Sequence, residues 1–327
     1  MKKRIPLPLS LPLGYLSVLG GWILYRLWRA DPAKTLQEDA NRHPKGVSWE
    51  REETFDGGTL RRVVEDGIER VTCIPRERRF ETPLFFMHGM WHAAWCWEDW
   101  QKQLAAWGWE SHAISLPGHG ASPAQRSIQF CTLDYYLNFL RGEIARLPRK
   151  PVLIGHSMGG ALTQWYLKYV GDDLPATVMV ASWVSHSMLA DNLLRYIRLD
   201  PAGLPLMLFH WDAAPMVRTP QVAARALLSP QALITPEELH ARLVPESALV
   251  LFQHNPPFWK PPQNIRTPML WVAGEADAFF SVEAMRRSAA HYNADFYLAP
   301  GAGHDVMMEP SAPDALRYIH TWLSERM

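Results

Sequence analysis

The chain has 327 residues, 48% of them hydrophobic, with 33 basic and 33 acidic side chains and a formal net charge of zero. This size suits one large α/β domain with an insertion. The balanced charge argues against a nucleic-acid partner, which usually requires a basic surface. The odd number and irregular spacing of Cys73, Cys96 and Cys131 predict neither a disulfide framework nor a zinc site, and we interpret them as buried thiols.

The N-terminus contains an uncharged stretch, residues 5–25, closed by Arg26 and Arg29. At about 1.5 Å per residue it is just long enough to cross a hydrocarbon core of ~30 Å. We therefore predict that residues 1–30 form a transmembrane helix and that the protein is membrane-associated. Three prolines weaken the first half of this helix. The alternatives are the cleaved signal peptide of an exported protein and a flap packed on the domain of a cytoplasmic one.

Apolar runs and helical patterns alternate along most of the remaining chain. Residues 31–46 are polar and predict a linker, and Asp56-Gly57-Gly58 predicts a hairpin turn between two strands within residues 47–65. Further strands are predicted at residues 83–89, 112–118, 151–155, 176–182, 267–274 and 294–301. Helices are predicted at residues 95–107, 133–147 and 158–170, and after each of the last two strands. This alternation predicts an α/β fold with a mostly parallel sheet covered by helices on both faces.

Residues 185–265 interrupt the alternation. No strand pattern is visible there, and eleven prolines lie between Pro201 and Pro262. Short helices separated by prolines predict a helical cap inserted into the α/β core. The predicted organisation is therefore a core of residues 47–184 and 266–327 with a cap at residues 185–265.

The sequence VLIGHSMGG, residues 152–160, places Ser157 between Gly155 and Gly159 where a strand meets a helix. The five-residue Gly-x-Ser-x-Gly pattern also occurs by chance, but this setting predicts a strained turn in which a side chain at either glycine would collide with its neighbours. Such a nucleophile elbow exposes the serine hydroxyl at the carboxyl end of the sheet. It also aims the N–H of Met158, at the start of the helix, toward developing negative charge.

A serine hydroxyl needs a base, and the base needs a carboxylate to orient it. WVAGEADAFF places Asp277 just after a strand, and APGAGHDVMMEP places His304 in the loop after the last strand. Both loops leave the carboxyl ends of strands, so we predict a catalytic triad of Ser157, Asp277 and His304. Glu275 is the nearest rival acid. The alternative roles are a helix cap for Asp277 and a hydrogen-bonded loop residue for His304.

The stretch FFMHGMWH ends a strand with a glycine, Gly89, that allows the chain to turn. We expect the N–H of Met90 to face that of Met158 and to complete an oxyanion hole. His88 is interpreted as a structural hydrogen-bonding residue beneath this turn. His88 and His92 have i,i+4 spacing, but the intervening turn is not helical, so we predict no metal site.

Six tryptophans fall within 19 residues, between Trp91 and Trp109. We expect Trp100 and Trp107 to pack a helix against the sheet. Trp91, beside the oxyanion loop, and Trp183, where a strand enters the cap, are predicted to line a substrate pocket.

The motifs HGMW, LPGHGAS, GHSMGG, GEAD and GAGHD occur in the order typical of the α/β-hydrolase superfamily, which the chain resembles from about residue 47 to its C-terminus. The resemblance implies the α/β-hydrolase fold with a helical cap and supports both the triad and the oxyanion hole assigned above. HGMWHAAWCW is also similar to the plant methylesterase and hydroxynitrile-lyase branch. The lyases carry a lysine directly after the catalytic histidine, where this chain has Asp305, which argues against lyase chemistry.

We therefore expect a serine hydrolase that cleaves a small-molecule carboxylic ester with an apolar acyl or alcohol part, through an acyl-enzyme and without a cofactor. A non-catalytic ligand-binding or interaction protein is the alternative from a different class, because the fold does not fix the function. Hydrolysis of a thioester, amide or C–C bond is a further alternative. The sequence specifies neither the physiological substrate nor the oligomeric state.

Overall fold

The structure, a computed structural model, describes residues 10–39 and 41–327. Nine strands within these residues form one sheet; they are β1 (Val47–Phe55), β2 (Gly58–Glu65), β3 (Ile68–Pro75), β4 (Leu84–Met87), β5 (Ser111–Ser115), β6 (Val152–His156), β7 (Thr177–Val180), β8 (Met269–Gly274) and β9 (Asp295–Ala299). Their order is β1-β2-β3-β5-β4-β6-β7-β8-β9. Strands β4 to β9 all run parallel to one another, and β1, β2 and β3 add an antiparallel edge next to β5.

Burial follows the position of each strand in the sheet. Every residue of β4, β6, β7 and β8 is buried, which explains their uninterrupted apolar sequences. The outermost strand, β1, is largely exposed and carries charged residues that discourage edge-to-edge association. The central strands therefore form a rigid base, and the loops at their carboxyl ends carry the candidate site.

The α-helices are α1 (Ser10–Trp28), α2 (Pro32–Thr35), α3 (Glu98–Ala106), α4 (Leu133–Arg146), α5 (Met158–Tyr169), α6 (Met188–Leu199), α7 (Gly203–His210), α8 (Pro220–Leu227), α9 (Pro236–Arg242), α10 (Ala248–Gln253), α11 (Val282–His291) and α12 (Ala312–Ser324). Helices α6 to α10 lie between β7 and β8 and form the cap. Two of its prolines start helices: Pro220 and Pro236 follow the capping residues Thr219 and Thr235. The first helical position tolerates proline because its N–H has no intrahelical partner.

The predicted fold class, a mostly parallel sheet flanked by helices with an inserted helical cap, is confirmed. The division at residues 184/185 and 265/266 stays a prediction. Strand β3 was not predicted. Its signal was the Asp66-Gly67 pair, whose φ values of 55° and 71° form the turn between β2 and β3. Within the predicted linker, α2 is attached to the core because the Thr35 hydroxyl donates to Asp134 at 2.7 Å.

The predicted transmembrane helix is wrong. Among residues 10–39 and 41–327, no helix combines the length and the apolar character that crossing a bilayer requires; residues 5–9 lie outside the described residues. Serines, three glycines and Arg26 dilute the apolar content of α1. Its C-terminal half packs on the cap instead: Ile23 and Leu27 are buried against Leu249 of α10. This contact agrees with the flap alternative, and membrane association is not supported.

The three thiols are buried, as interpreted from the sequence, and the two tryptophans contact other aromatic rings. All three cysteines are buried and unpaired. Trp100 is buried and its ring centroid lies 5.5 Å from that of Trp97. Trp107 is half-buried and stacks on His320 of α12, with the ring centroids 4.6 Å apart. Trp107, directly after α3, thus contacts α12, and packing of Trp100 and Trp107 against the sheet stays a prediction.

Candidate active site

Ser157 occupies a strained turn between β6 and α5. Its φ of 52° and ψ of −116° are unfavourable for a residue with a side chain. The turn is held by close approaches that only glycine allows: a Cβ on Gly155 would lie 2.4 Å from the Gly159 carbonyl oxygen. A Cβ on Gly159 would lie 2.2 Å from the carbonyl oxygen of Met87. The neighbouring backbone therefore enforces the conformation that presents the Ser157 hydroxyl.

The structure brings the three residues of the predicted triad together. The Nε2 atom of His304 lies 2.9 Å from the Ser157 hydroxyl, and its Nδ1 atom lies 2.8 Å from Oδ2 of Asp277. Ser157, His304 and Asp277 are 5%, 2% and 3% exposed, so bulk water is excluded from this chain of hydrogen bonds. With Nδ1 donating to the carboxylate, Nε2 is free to accept the serine proton.

The two candidate acids occupy different environments. Oδ1 of Asp277 accepts the N–H groups of Phe279 and Phe280, at 2.7 and 3.1 Å, which directs Oδ2 toward His304. Glu275 is exposed and instead accepts the N–H of Gly301 in the turn after β9. Asp277 does not cap α11, because Ser281 performs that role with its own hydroxyl.

Two backbone N–H groups are available at the elbow. Within the described part of the chain, neither Met90 nor Met158 donates its N–H to another group. Gly89 brings the loop after β4 against the serine, since a Cβ there would lie 2.8 Å from Cβ of Ser157. His88 fixes the peptide between Gly89 and Met90: its Nδ1 lies 2.8 Å from the Gly89 oxygen. The N–H of Met90 points the opposite way from that oxygen, because the peptide is trans.

Two buried histidines beneath the site are uncharged. His88 accepts the N–H of Leu116 at Nε2, which leaves the proton on Nδ1. Burial, with a smaller effect from His119, holds the pKa of His88 well below its usual value. Burial also lowers the pKa of His156 to about 3, against the opposing charge of Asp305. These rings therefore act as fixed, neutral hydrogen-bonding groups.

One trio of buried side chains, His92, His156 and Asp305, brings its nitrogen and oxygen atoms within 4.8 Å of one another. His92 and Asp305 are already joined by a direct hydrogen bond of 3.0 Å. We therefore assign His92 and Asp305 to a hydrogen bond with each other, whereas Nε2 of His156 faces the His304 carbonyl, and Nδ1 of His156 and Oδ1 of Asp305 have no partner among the described residues. Sequence reasoning missed this pairing because 213 positions separate the two residues.

The cap is attached to all three loops of the site. The indole N–H of Trp91 donates to the carbonyl of Ala213, and the Trp91 carbonyl accepts the N–H of Val244. In the loop after β8, which carries Asp277, Arg195 of α6 donates to the Asp277 carbonyl at 2.7 Å. In the loop after β9, which carries His304, Asp305 donates its N–H to the Leu227 carbonyl. The structure thus shows the cap closed over the serine.

An apolar cavity of about 60 Å³ lies between α6, α7 and α10. Phe279 links it to the triad: the ring lines the cavity and lies 4.9 Å, centroid to centroid, from the imidazole of His304. The other wall residues are mainly aliphatic or thioether side chains, among them Leu193 and Met207. Phe279 was not predicted, although its position two residues after the acid was a usable signal.

The predicted pocket residues occupy different places. Trp91 is buried and packs near Phe279, with the ring centroids 6.2 Å apart. Trp183 is buried, donates its N–H to the Ser157 carbonyl and packs its ring against His254. Neither residue lines the apolar cavity, and a role for either in substrate binding stays a prediction.

The chain was compared with known proteins. The model of the "Alpha/beta hydrolase family" matches residues 84–317. The pFDCC methylesterase MES16 of Arabidopsis thaliana is 35% identical over 102 residues, which are 30% of this chain and 38% of that protein. The pheophorbidase of Raphanus sativus is 33% identical over 100 residues, or 30% and 37% of the two chains. The chain thus matches less than half the length of these relatives.

Solved structures show a similar fold over most of the chain. A thermophilic esterase from Thermogutta terrifontis aligns with a TM-score of 0.60 and 16% identity, over 85% of this chain and 99% of that one. The monoacylglycerol lipase of Paleococcus ferrophilus aligns with a TM-score of 0.56 and 21% identity, over 80% and 99% of the two chains.

Proposed function

The chain belongs to the alpha/beta hydrolase family, and we propose that it is a serine hydrolase that cleaves carboxylic esters with an apolar acyl or alcohol part. The observation that carries this proposal is the buried hydrogen-bonded chain from Ser157 through His304 to Asp277, at a strained elbow beside two free N–H groups. The methylesterase among the relatives gives further support.

In the proposed reaction, the Ser157 oxygen attacks the ester carbonyl while His304 Nε2 takes the hydroxyl proton. The N–H groups of Met90 and Met158 stabilise the oxyanion of the tetrahedral intermediate. His304 then returns the proton to the departing alcohol, leaving an acyl-serine. A water molecule, deprotonated by the same nitrogen, attacks the acyl-serine, and the acid leaves as Ser157 regains its proton. Asp277 keeps the imidazole in the required tautomer and stabilises its charged form.

The apolar cavity supports a substrate with a hydrocarbon part. Phe279 connects the cavity with the triad, because its ring lines the cavity and contacts the imidazole of His304. A hydrocarbon chain that replaces water in such a space gains roughly 0.8 kcal/mol per buried CH₂ group. The cavity is bounded by helices of the cap, so groups too long for it require the cap to move.

Labelling with a fluorophosphonate probe tests the assignment of the nucleophile. The wild-type chain should be labelled on Ser157 and should hydrolyse p-nitrophenyl acetate. Ser157→Ala should fold, resist labelling and lose more than about 10⁴-fold in kcat. Ser111→Ala is the matched control, because Ser111 is also buried but lies at the start of β5, far along the strand from the site.

Two results would contradict the proposal. An unlabelled wild-type chain without esterase activity would favour a non-catalytic binding protein on this fold. A Ser157→Ala variant with more than about a tenth of the wild-type rate would exclude Ser157 as the nucleophile. A series of p-nitrophenyl esters of increasing acyl length then measures the apolar preference, which should appear as kcat/KM rising with chain length.

A further inference from the structure

A buried pair of side chains joins the loop that carries one oxyanion donor to the loop that carries the base. His92 lies two residues after Met90, and Asp305 directly follows His304. Nδ1 of His92 lies 2.8 Å from the Met90 carbonyl oxygen, and Nε2 lies 3.0 Å from Oδ2 of Asp305. Both side chains are fully buried. Two loops that are distant in sequence are thus linked through a single imidazole ring.

The partners of His92 and its pKa together indicate the charge of this ring. Nδ1 faces a carbonyl oxygen and therefore carries hydrogen, and Nε2 carries a second hydrogen when its partner Asp305 is ionised. Burial opposes this charge, but the Asp305 carboxylate and its hydrogen bond outweigh it, so the pKa of His92 is raised. The pKa of Asp305 is lowered by His92 despite burial.

Other titratable groups surround the pair, and none of them replaces either member. His156 approaches Asp305, with Nε2 at 3.4 Å from Oδ1, but it is neutral. His88 is neutral as well and interacts only weakly with His92. Burial, with a smaller effect from Asp305, raises the pKa of the Cys96 thiol well above its usual value, so the thiol stays protonated. The remaining neighbour is His304, the base of the proposed reaction.

Building on the proposed function, we propose that His92 and Asp305 are positioning residues for catalysis. His88 holds the peptide that presents the Met90 N–H, and His92 holds the next carbonyl along the chain. Asp305 ties this arrangement to the backbone next to His304. The pair therefore fixes the oxyanion donor relative to the base, and its two opposite charges largely cancel at His304. Removing one member loosens the link and leaves an uncompensated charge beside the base.

The single variants His92→Gln and Asp305→Asn test this proposal, with kcat and KM measured for hydrolysis of p-nitrophenyl acetate. A displacement of about 1 Å at an active site can cost about 100-fold in rate, so we expect kcat to fall on the order of 10- to 100-fold, with KM changing less than about threefold. The matched control is His112→Gln. His112 also bonds through both ring nitrogens, to Glu110 and Thr72, but it lies on β5 away from the serine.

The pH dependence of kcat/KM separates positioning from a merely structural role. In His92→Gln the introduced amide can still donate to Asp305 and favour its ionised form. This carboxylate, no longer balanced by His92, favours the protonated, inactive His304, so the acid limb should move to higher pH. In Asp305→Asn the carboxylate is lost, so the limb should move to lower pH. The double variant His92→Gln/Asp305→Asn has neither charge, and its limb should return toward the wild-type position. Its loss in kcat should be smaller than the product of the two single losses.

Direct observation of the ring covers the case in which a variant fails to fold. Histidine-selective ¹⁵N NMR of the wild-type chain should show both nitrogens of His92 protonated at pH 7. A neutral His92 ring, or a stoichiometric bound metal found by elemental analysis, would overturn the ion pair. Single variants with kcat within about twofold of wild type and unshifted limbs would overturn the positioning role. If the wild-type Ser157 is not labelled by fluorophosphonate, the proposed function fails, whereas the NMR result still decides the pair.

Discussion

The substitution Asp277→Asn removes one charge and keeps the shape of the side chain. The carboxylate now accepts three hydrogen bonds, two at Oδ1 from Phe279 and Phe280 and one at Oδ2 from His304. Asparagine has one oxygen. If this oxygen keeps the two backbone donors, the amide N–H₂ faces His304 and forces its proton from Nδ1 to Nε2. The ring then donates to the serine and cannot accept its proton.

The expected loss follows from this change of tautomer. The equivalent change in a serine-protease triad lowers kcat by about 10⁴-fold, which corresponds to about 5.4 kcal/mol at 1.36 kcal/mol per factor of ten. The reverse orientation of the amide is also unfavourable, because its N–H₂ group then faces the N–H groups of Phe279 and Phe280 and leaves these donors without an acceptor. We therefore expect Asp277→Asn to lose about 10⁴-fold in kcat with a small change in KM.

Hydrolysis of p-nitrophenyl acetate measures this loss, and far-UV circular dichroism checks that the variant is folded. Glu275→Gln is the matched control: Glu275 is exposed and only accepts the N–H of Gly301, so its kcat should stay within about threefold of wild type. An inactive Glu275→Gln together with an active Asp277→Asn would show that the wrong carboxylate had been assigned.

Further predictions concern stability. Gly159→Ala places a Cβ 2.2 Å from a backbone oxygen and should prevent stable folding, whereas Gly142→Ala, with nothing within 4 Å in the middle of α4, should stabilise the protein by about 0.5–1 kcal/mol in urea unfolding. Glu246→Ala removes a fully buried carboxylate that interacts with His119 and Tyr136 of the core and accepts the N–H of the adjacent Ser247, and should cost about 3–5 kcal/mol. Because the pKa of His92 is raised in the folded state, His92 stabilises the fold fully below about pH 6.5, and this stability is lost as the pH rises through the raised value. Because the pKa of Asp305 is lowered, Asp305 stabilises the fold above about pH 4, and this stability is lost on acidification. The difference in melting temperature between wild type and His92→Gln/Asp305→Asn should therefore be largest between about pH 4 and 6.5.

The features that could be predicted from the sequence depend on short-range patterns. The buried strand, the two glycines and the following helix around Ser157 are adjacent in the chain, and their spacing alone predicts the elbow. The order of the loops then placed Asp277 and His304 at the same edge of the sheet. Such strands can be recognised from the sequence because the apolar residues that each one buries follow one another in the chain.

The features that were missed depend on contacts between distant segments. No local pattern pairs His92 with Asp305, and none shows that Arg195 from the cap reaches the acid loop. The transmembrane prediction failed for a related reason. Hydropathy along a segment measures its apolar content but not whether another helix covers its apolar face, and α1 has such a partner in α10.

The contact between α1 and α10 leads to a prediction about the N-terminus. Ile23 and Leu27 are 9% and 3% exposed and pack on Leu249. Burial of an aliphatic side chain contributes about 1.5–3 kcal/mol, so removing residues 1–30 should lower the free energy of unfolding by roughly 3–6 kcal/mol as an upper bound. The shortened chain should still hydrolyse p-nitrophenyl acetate, because every residue of the proposed triad and oxyanion hole lies at or beyond Met90.

Point variants in the chain of 327 residues test the same contact without truncation. Leu27→Ala should cost about 2–4 kcal/mol in urea unfolding, because it opens a cavity against the cap. Leu24 lies on the same helix but is 58% exposed, so Leu24→Ala should change stability by less than about 0.5 kcal/mol. Equal effects of the two substitutions would show that α1 does not dock on α10 in solution. The contact also adjoins the apolar cavity, since Phe252 of α10 packs against the cluster of Ile23, Leu27 and Leu249 and also lines the cavity.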